Sequence, residues 1–244
     1  MIQVIKKSEQ FNDVIFGGRF HANKPVYSGK SNVKPYSSLY YWSNGYVKEN
    51  CEFGLHPHEG FEIMTFLFEG IIEHYDTATK VWTPLKAGDF QIIQSNSGIQ
   101  HQEKVAKSSR AFQIWFDPNF TKSLSKSPAY KDYSTADWES LEENSFQVNY
   151  YIGGNSPAKS DTEGLIIKKF TGYGKGLQQL KLIKECNYHF YLLNGSVIIN
   201  GKALAVDDVL KATNISDIEI SLGINTELFL IQTPVNLSYH TVWE

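Results

Sequence analysis

The sequence is poor in the features that mark several protein classes. Two cysteines occur in 244 residues, Cys51 and Cys186, far apart in the chain. That spacing implies no disulfide framework and fits a reducing cytoplasm. No Lys/Arg block stands out, and 23 basic against 26 acidic residues leave a net charge of −3. A basic face for direct nucleic-acid binding is therefore not expected. No stretch approaches the roughly 20 apolar residues of a membrane-spanning helix, so no membrane partner is expected. The opening MIQVIKKSEQ is charged and holds no apolar segment, so a signal peptide is not expected. G-x-S-x-G, P-loop and dinucleotide fingerprints are missing as well. GYGKG at 172–176 is glycine-rich, but it lacks the strand–helix context of a phosphate loop and reads as a turn.

What is present points to β structure. Hydrophobic residues are 41% and charged residues 20%, an ordinary globular composition. Aromatic residues reach 14%, mostly Phe and Tyr. Clusters of Gly, Asn, Asp and Ser recur about every ten residues, which predicts many short strands in a sandwich or barrel. FEIMTFLFEG (61–70), IIEHYD, VWTPL, KAGDFQIIQ and AFQIWF are the strongest strand candidates of the first half.

Residues 117–146 are polar, rich in Ser and Lys, and poorly periodic. They read as a linker, with a short helical turn in ADWESLEE. The second half then echoes the first. HFYLLNGSVII (189–199) lies under MTFLFEGIIEH (64–74), with Gly195 under Gly70; LAVDDVL lies under LKAGDFQ, with Asp208 under Asp89. A duplicated β unit follows, with expected spans of 1–120 and 147–244 about a linker at 121–146. On this alignment His56, His58 and Glu62 face Lys181, Ile183 and Asn187, while His101 and Glu103 face Ile220 and Leu222. The copy keeps the skeleton and loses the polar set, so the fold does not require it.

That set has metal-site chemistry. HPHEGFE (56–62) and HQE (101–103) each place two side chains at i and i+2, on one face of a strand. If both strands face one barrel interior, His56, His58, His101 and Glu103 converge. Three imidazoles and a carboxylate suit a divalent first-row ion, and iron(II) with two open positions is chemically reasonable. Glu62, four residues beyond His58, competes with Glu103 for the carboxylate role, or stands behind a ligand imidazole. His74 reads as a structural strand histidine, and His21, His189 and His240 as structural or exposed. Cys51 is expected to pack in a strand.

These stretches resemble the pirin family of the cupin superfamily. HPHEGFE is similar to its H-P-H-R-G-F-E, FLFEGIIEHYD to its Y-V-L-E-G-x-I-E-H-x-D, and LKAGDFQ, SGIQHQE and FQIWF to the stretches that follow, all in family order across about 53–118. The resemblance implies an all-β bicupin: two double-stranded β-helix (jelly-roll) barrels with metal in the N-terminal one only. It implies His56, His58, His101 and Glu103 as ligands of one divalent ion, usually Fe(II), with Ni, Mn, Cu or Zn also accepted, and so favours Glu103 over Glu62. It implies a quercetin 2,3-dioxygenase, cleaving a flavonol or enediol with dioxygen. Glu103 or Glu62 would then act as base, and aromatic residues such as Phe61, Phe66, Phe68 and Trp115 would line a flat pocket. The alternative it implies is a non-enzymatic, redox-sensitive iron protein that binds a protein partner. A cupin without metal chemistry, of the storage or sugar-binding kind, is a third reading. Two departures are visible: Glu59 stands where the family has arginine, and Gln102 where it has serine. Strand parity points both away from the metal.

Overall fold

The computed structural model describes every residue except 138, 144–145 and 173–175. The chain is almost entirely β and divides into two compact units. One comprises Gln10–Asp137 with Ser238–Glu244; the other comprises Met1–Glu9 with Trp138–Leu237. Each unit is a double-stranded β-helix built from a seven-stranded and a four-stranded sheet.

In the first unit the large sheet runs Ala129–Tyr133, Phe90–Gln94, Glu62–Glu69, Arg110–Phe116, Leu39–Val47, Phe20–Val26 and Phe11–Ile15. The small sheet runs Cys51–His58, Ile99–Val105, Ile71–Asp76 and Trp82–Lys86. Large aromatics fix the core. Phe66 stacks on Phe90 (5.5 Å between centroids), Phe90 on Tyr133 (4.9 Å), and Trp42 meets Phe112 edge-on (5.4 Å). The two central small-sheet strands alternate strictly. Ile72, His74 and Asp76 are buried on one strand, and Ile99, His101, Glu103 and Val105 on its neighbour. Period-2 burial aims each set of side chains at one barrel interior.

The second unit repeats the strand order of the first. Its large sheet runs Ile2–Ile5, Val209–Thr213, Cys186–Asn194, Glu227–Pro234, Ile166–Gly172, Phe146–Ile152 and Leu141–Glu143. Its small sheet runs Gly176–Lys181, Asp217–Leu222, Val197–Ile199 and Lys202–Leu204. The duplication expected from sequence is therefore present, but two of the expected registers shift. Val105 pairs with Ile72 and Leu222 with Val197, each partner two residues beyond its turn glycine. His101 and Glu103 thus correspond to Ile218 and Ile220 rather than to Ile220 and Leu222. Upstream, Leu180 pairs with Ile218, and the Leu182 amide donates to the Ser216 carbonyl. Leu180 and Leu182, not Lys181 and Ile183, therefore occupy the places of His56 and His58. Loops absorbed the differences in length, two residues in one case and one in the other. The conclusion about the copy grows stronger: Leu180, Leu182, Ile218 and Ile220 all pack in a continuous apolar core.

The unit boundaries also differ from the expected spans. Lys6 and Lys7 pair with Asp208 and Asp207 at 2.9 and 2.8 Å, and Ile2–Ile5 joins the second unit's sheet. The segment read as a linker holds a short helix, Phe120–Ser123, and the edge strand Ala129–Tyr133. Its hydropathy hides the strand because only one face is covered, while Ala129 and Lys131 on the other are exposed at the sheet edge. ADWESLEE forms only a turn at Thr135–Asp137 before Leu141–Glu143 extends. Of GYGKG, residues 173–175 lie outside the described residues; Gly172 ends one strand and Gly176 begins the next.

The turn glycines are constrained alike in both units. Gly70 has φ +82°, and a Cβ there would lie 2.7 Å from the Ser109 Cα; Gly195 has φ +83°, with the Thr226 Cα at 2.7 Å. Gly70→Ala and Gly195→Ala should each destabilise by about 1–3 kcal/mol or more, through left-handed strain and backbone overlap. Chemical denaturation of the two variants checks this; wild-type stability in either would contradict it.

Candidate metal centre

The site begins with one antiparallel ladder. His101 pairs directly with His56, and Ile99 with His58, across strands Ile99–Val105 and Cys51–His58. Cross-strand pairing and i, i+2 parity together gather three imidazoles. Ring centroids lie 4.8 Å apart for His56–His58, 4.3 Å for His56–His101 and 4.8 Å for His58–His101. One nitrogen from each ring lies within 4.8 Å of the others.

The hydrogen bonds decide which nitrogens remain. His56 Nδ1 donates to the Gly54 carbonyl at 2.7 Å, which leaves Nε2 as its lone-pair atom. His101 Nδ1 is engaged by His74 Nε2 at 3.2 Å. The Nε2 atoms of His58 and His101 are buried without a hydrogen-bond partner. An unpaired buried polar atom costs about 1–3 kcal/mol, so two side by side need a reason. Protons do not supply one. Burial, with His56 the lesser cause, pushes His58 down to about 4. Burial, then His58, His56 and His74, pushes His101 down to about 2. The rings are neutral near pH 7 with their lone pairs available, as a divalent cation requires.

Glu103 is buried on the same face as His101, one residue beyond a shift in register against the Cys51–His58 strand. Its carboxylate stands outside the 4.8 Å group, shares an interior cavity with His56, and hydrogen-bonds to the Gln113 side chain. Burial pushes its carboxyl up to about 7. Glu62 is buried on the other sheet, where Gln94 Nε2 donates to it at 2.9 Å. It belongs neither to the histidine group nor to the wall of that cavity.

His74 is more than a strand histidine. It is fully buried, touches His101, lies 3.9 Å from the Asp76 carboxylate, and stacks on Tyr130 at 4.4 Å. Parity within IIEHYD was the available signal, since His74 and Asp76 share the face that pairs with Glu103 and His101. Tyr130, from the expected linker, carried no signal; its hydroxyl meets Thr83, Gln91 and Asp132. Of the expected aromatics, Phe61 and Trp115 reach the site. Trp115 meets the His58 ring at 4.7 Å, and Tyr40 stacks on Phe61 at 4.7 Å and on Trp243 at 5.3 Å. Phe66 and Phe68 pack elsewhere, on Phe90 and Phe112, because their strand faces the large-sheet core. Glu59 is exposed on the rim of an open recess of about 700 Å³ that also contains His58, Thr77 and Gln100. Gln102 is half-buried opposite Tyr75. His21 bonds to the Gly18 carbonyl, His189 is buried, and His240 is solvent-exposed.

Fold and site together define a bicupin with a histidine-rich candidate metal centre in its first barrel. Residues 9–116 match the family model described as Pirin. Relatives include the quercetin 2,3-dioxygenase of Escherichia coli K12, 35% identical over 91 residues (36% of this chain, 38% of the relative), and Pirin-1 of Arabidopsis thaliana, 33% identical over 106 residues (43% and 36%). These alignments span well under half of either relative. The solved structure of a bacterial pirin from E. coli in complex with nickel(II) superposes with a TM-score of 0.81 at 21% identity, covering 96% of this chain and 99% of that one. A quercetin 2,3-dioxygenase from Acinetobacter baumannii gives a TM-score of 0.82 at 20% identity, covering 96% and 79%. The first barrel thus matches the Pirin family model, and the chain as a whole has the fold of the solved pirin structures.

Two outcomes follow. His74→Phe keeps the ring on Tyr130 but removes the nitrogen behind His101. It should lower metal affinity about 10- to 100-fold, read by chelator competition; unchanged affinity would exclude a supporting role. The metal-free protein should lose stability as pH falls from 7 to 5. His58, His74 and His101 are depressed below the usual 6.5, so the unfolded chain binds protons first and stability drains below about 6.5. Glu103 opposes this, because its raised value relieves burial as pH falls below about 7. Glu103→Gln should therefore steepen the loss in thermal melts.

Proposed function

We propose that the chain is a pirin-type, metal-dependent dioxygenase acting on a flavonol or enediol such as quercetin. The observation that carries this reading is the group of three imidazoles in which the neutral His58 and His101 have buried Nε2 atoms without partners. His56, His58 and His101 would hold one divalent ion with Glu103 as fourth ligand, and iron(II) is the first choice. Nickel, manganese, copper and zinc suit the same donors. Bound there, the ion would supply Lewis-acid and redox chemistry toward dioxygen. We assign metal to the first barrel alone, because Leu180, Leu182, Ile218 and Ile220 fill the second.

The chain's own residues have separable roles in this reading. The recess beside His58 has room for a flat aromatic substrate, and Trp115 packs on the His58 ring with Phe61 beside it. Glu103, buried beside His56 on the wall of the inner cavity, is the first candidate to take the proton of a substrate hydroxyl; Glu62 is the reserve candidate, oriented by Gln94. Two free, buried cysteines suit a reducing compartment, and we place the protein in the cytoplasm.

One observation favours a second reading, a redox-sensitive iron protein that regulates a protein partner without catalysis. Glu59 sets a negative charge at the rim where an anionic flavonolate would approach. Anaerobic iron loading followed by oxygen uptake on a flavonol panel separates the two. Dioxygenase activity should appear in wild type and vanish in His101→Ala together with bound iron. A fully loaded wild type that consumes no oxygen would reject the enzyme, and partner capture that differs between ferrous and ferric protein would establish the regulator.

A further inference from the structure

One aromatic residue is joined to the histidine group in two ways. Trp115 lies against the His58 ring at 4.7 Å. Its indole N–H donates to the Gln113 side-chain oxygen at 3.2 Å, and the Gln113 side chain in turn bonds to Glu103. From Trp115 two chains of rings lead away. One runs to Tyr40 at 6.2 Å and on to Trp243 at 5.3 Å. The other runs to Tyr41 at 5.2 Å and on to Tyr27 at 5.6 Å. Strand pairing puts Gln232 and Ile166 of the second unit at the places of Trp115 and Tyr41. The fold therefore does not require these rings, and they accompany the histidines.

Indole and phenol are the aromatic side chains that give up an electron most readily, and an electron passes easily between rings in contact. The two chains end differently. Tyr41 and Tyr27 close on the Lys24 ammonium, 5.4 and 4.4 Å from their rings, which is itself paired with Asp13. The Tyr40 chain ends at the surface, where Trp243 is half-buried between the exposed Val242 and Glu244. Asp117 fixes that end. Its carbonyl accepts from the Tyr239 hydroxyl, and its carboxylate accepts from the Val242 amide at 2.9 Å.

We propose that Trp115, Tyr40 and Trp243 form a relay that carries an oxidising equivalent from the metal centre to the surface, where ascorbate or a small thiol removes it. The relay rests on the metal centre of the proposed function and not on the flavonol. Reduction of hydrogen peroxide to two waters takes two electrons and two protons. In the ferrous protein, iron gives one electron and Trp115 the other. Tyr40 refills Trp115 and Trp243 refills Tyr40, whose phenol proton leaves and returns in passing. Trp243 loses its indole proton, solvent supplies the second proton, and ascorbate restores an electron and a proton to Trp243. The imidazoles are thereby spared the oxidation that an equivalent left among them would cause.

The test gives iron-loaded protein of measured metal content one equivalent of hydrogen peroxide in air and maps oxygenated residues by peptide mass spectrometry. Trp243 should carry most of the product. Trp82, equally half-buried but off the route beside Lys104, should carry little. Tyr40→Phe keeps the ring and removes the oxidisable hydroxyl. Oxidation of Trp243 should then fall severalfold, while damage at Trp115, His58 and His101 rises severalfold. Trp243→Phe should shift damage inward in the same way, and it carries the test if Tyr40→Phe does not fold. Ascorbate should suppress the product at Trp243 in wild type. Equal oxidation of Trp82 and Trp243, or a wild-type pattern at the remaining residues of the folded variants at full iron content, overturns the relay and leaves the metal centre standing. Protein that binds no iron overturns both. No arm measures oxygen uptake on a flavonol, so the choice of substrate stands or falls separately.

Discussion

The antiparallel ladder between Cys51–His58 and Ile99–Val105 is the constraint on which the site depends. Pairing His101 with His56 puts two rings opposite each other, and alternation adds His58 from the next inward position. A slip of one residue would turn all three outward. Everything else holds that register. Strand Ile71–Asp76 flanks it and carries His74 to the back of His101, and Tyr130 caps His74 from the large sheet.

Comparison of the two barrels separates what folding needs from what the site needs. The second barrel fills its interior with Leu180, Leu182, Ile218 and Ile220, each contributing apolar burial. The first spends the same positions on imidazoles and a carboxylate, with nitrogens left unpaired and a glutamate pushed toward neutrality. A fold selected for stability alone would keep the second arrangement. Placing the first in one copy only marks it as a candidate functional site, of the kind that departs from local rules at a cost in stability.

Much of this was legible in the sequence. The paired H-x-H and H-x-E spacings survive in the structure because parity is a property of any extended strand. The repeat was legible because both copies keep a glycine at the same turn, where φ is positive and a Cβ would strike backbone. Loop lengths were not legible, and they displaced the equivalences to Leu180 and Ile218. Tyr130 was hidden in a polar segment because a sheet-edge strand needs only one apolar face. The placement of the first nine residues with the second unit was hidden for the same reason: Ile2–Ile5 is too short to announce its partner.

By itself, then, the sequence determined which residue types could meet and on which face of a strand, since alternation is fixed by covalent geometry. Only the tertiary structure decided how close they come and what stands behind them. It brought His56, His58 and His101 into one group, left Glu103 beside the inner cavity, held Glu62 on Gln94 and set His74 against His101. Those distances depend on strand pairings across many tens of residues, and a bulge or a two-residue loop change moves them without altering the local pattern.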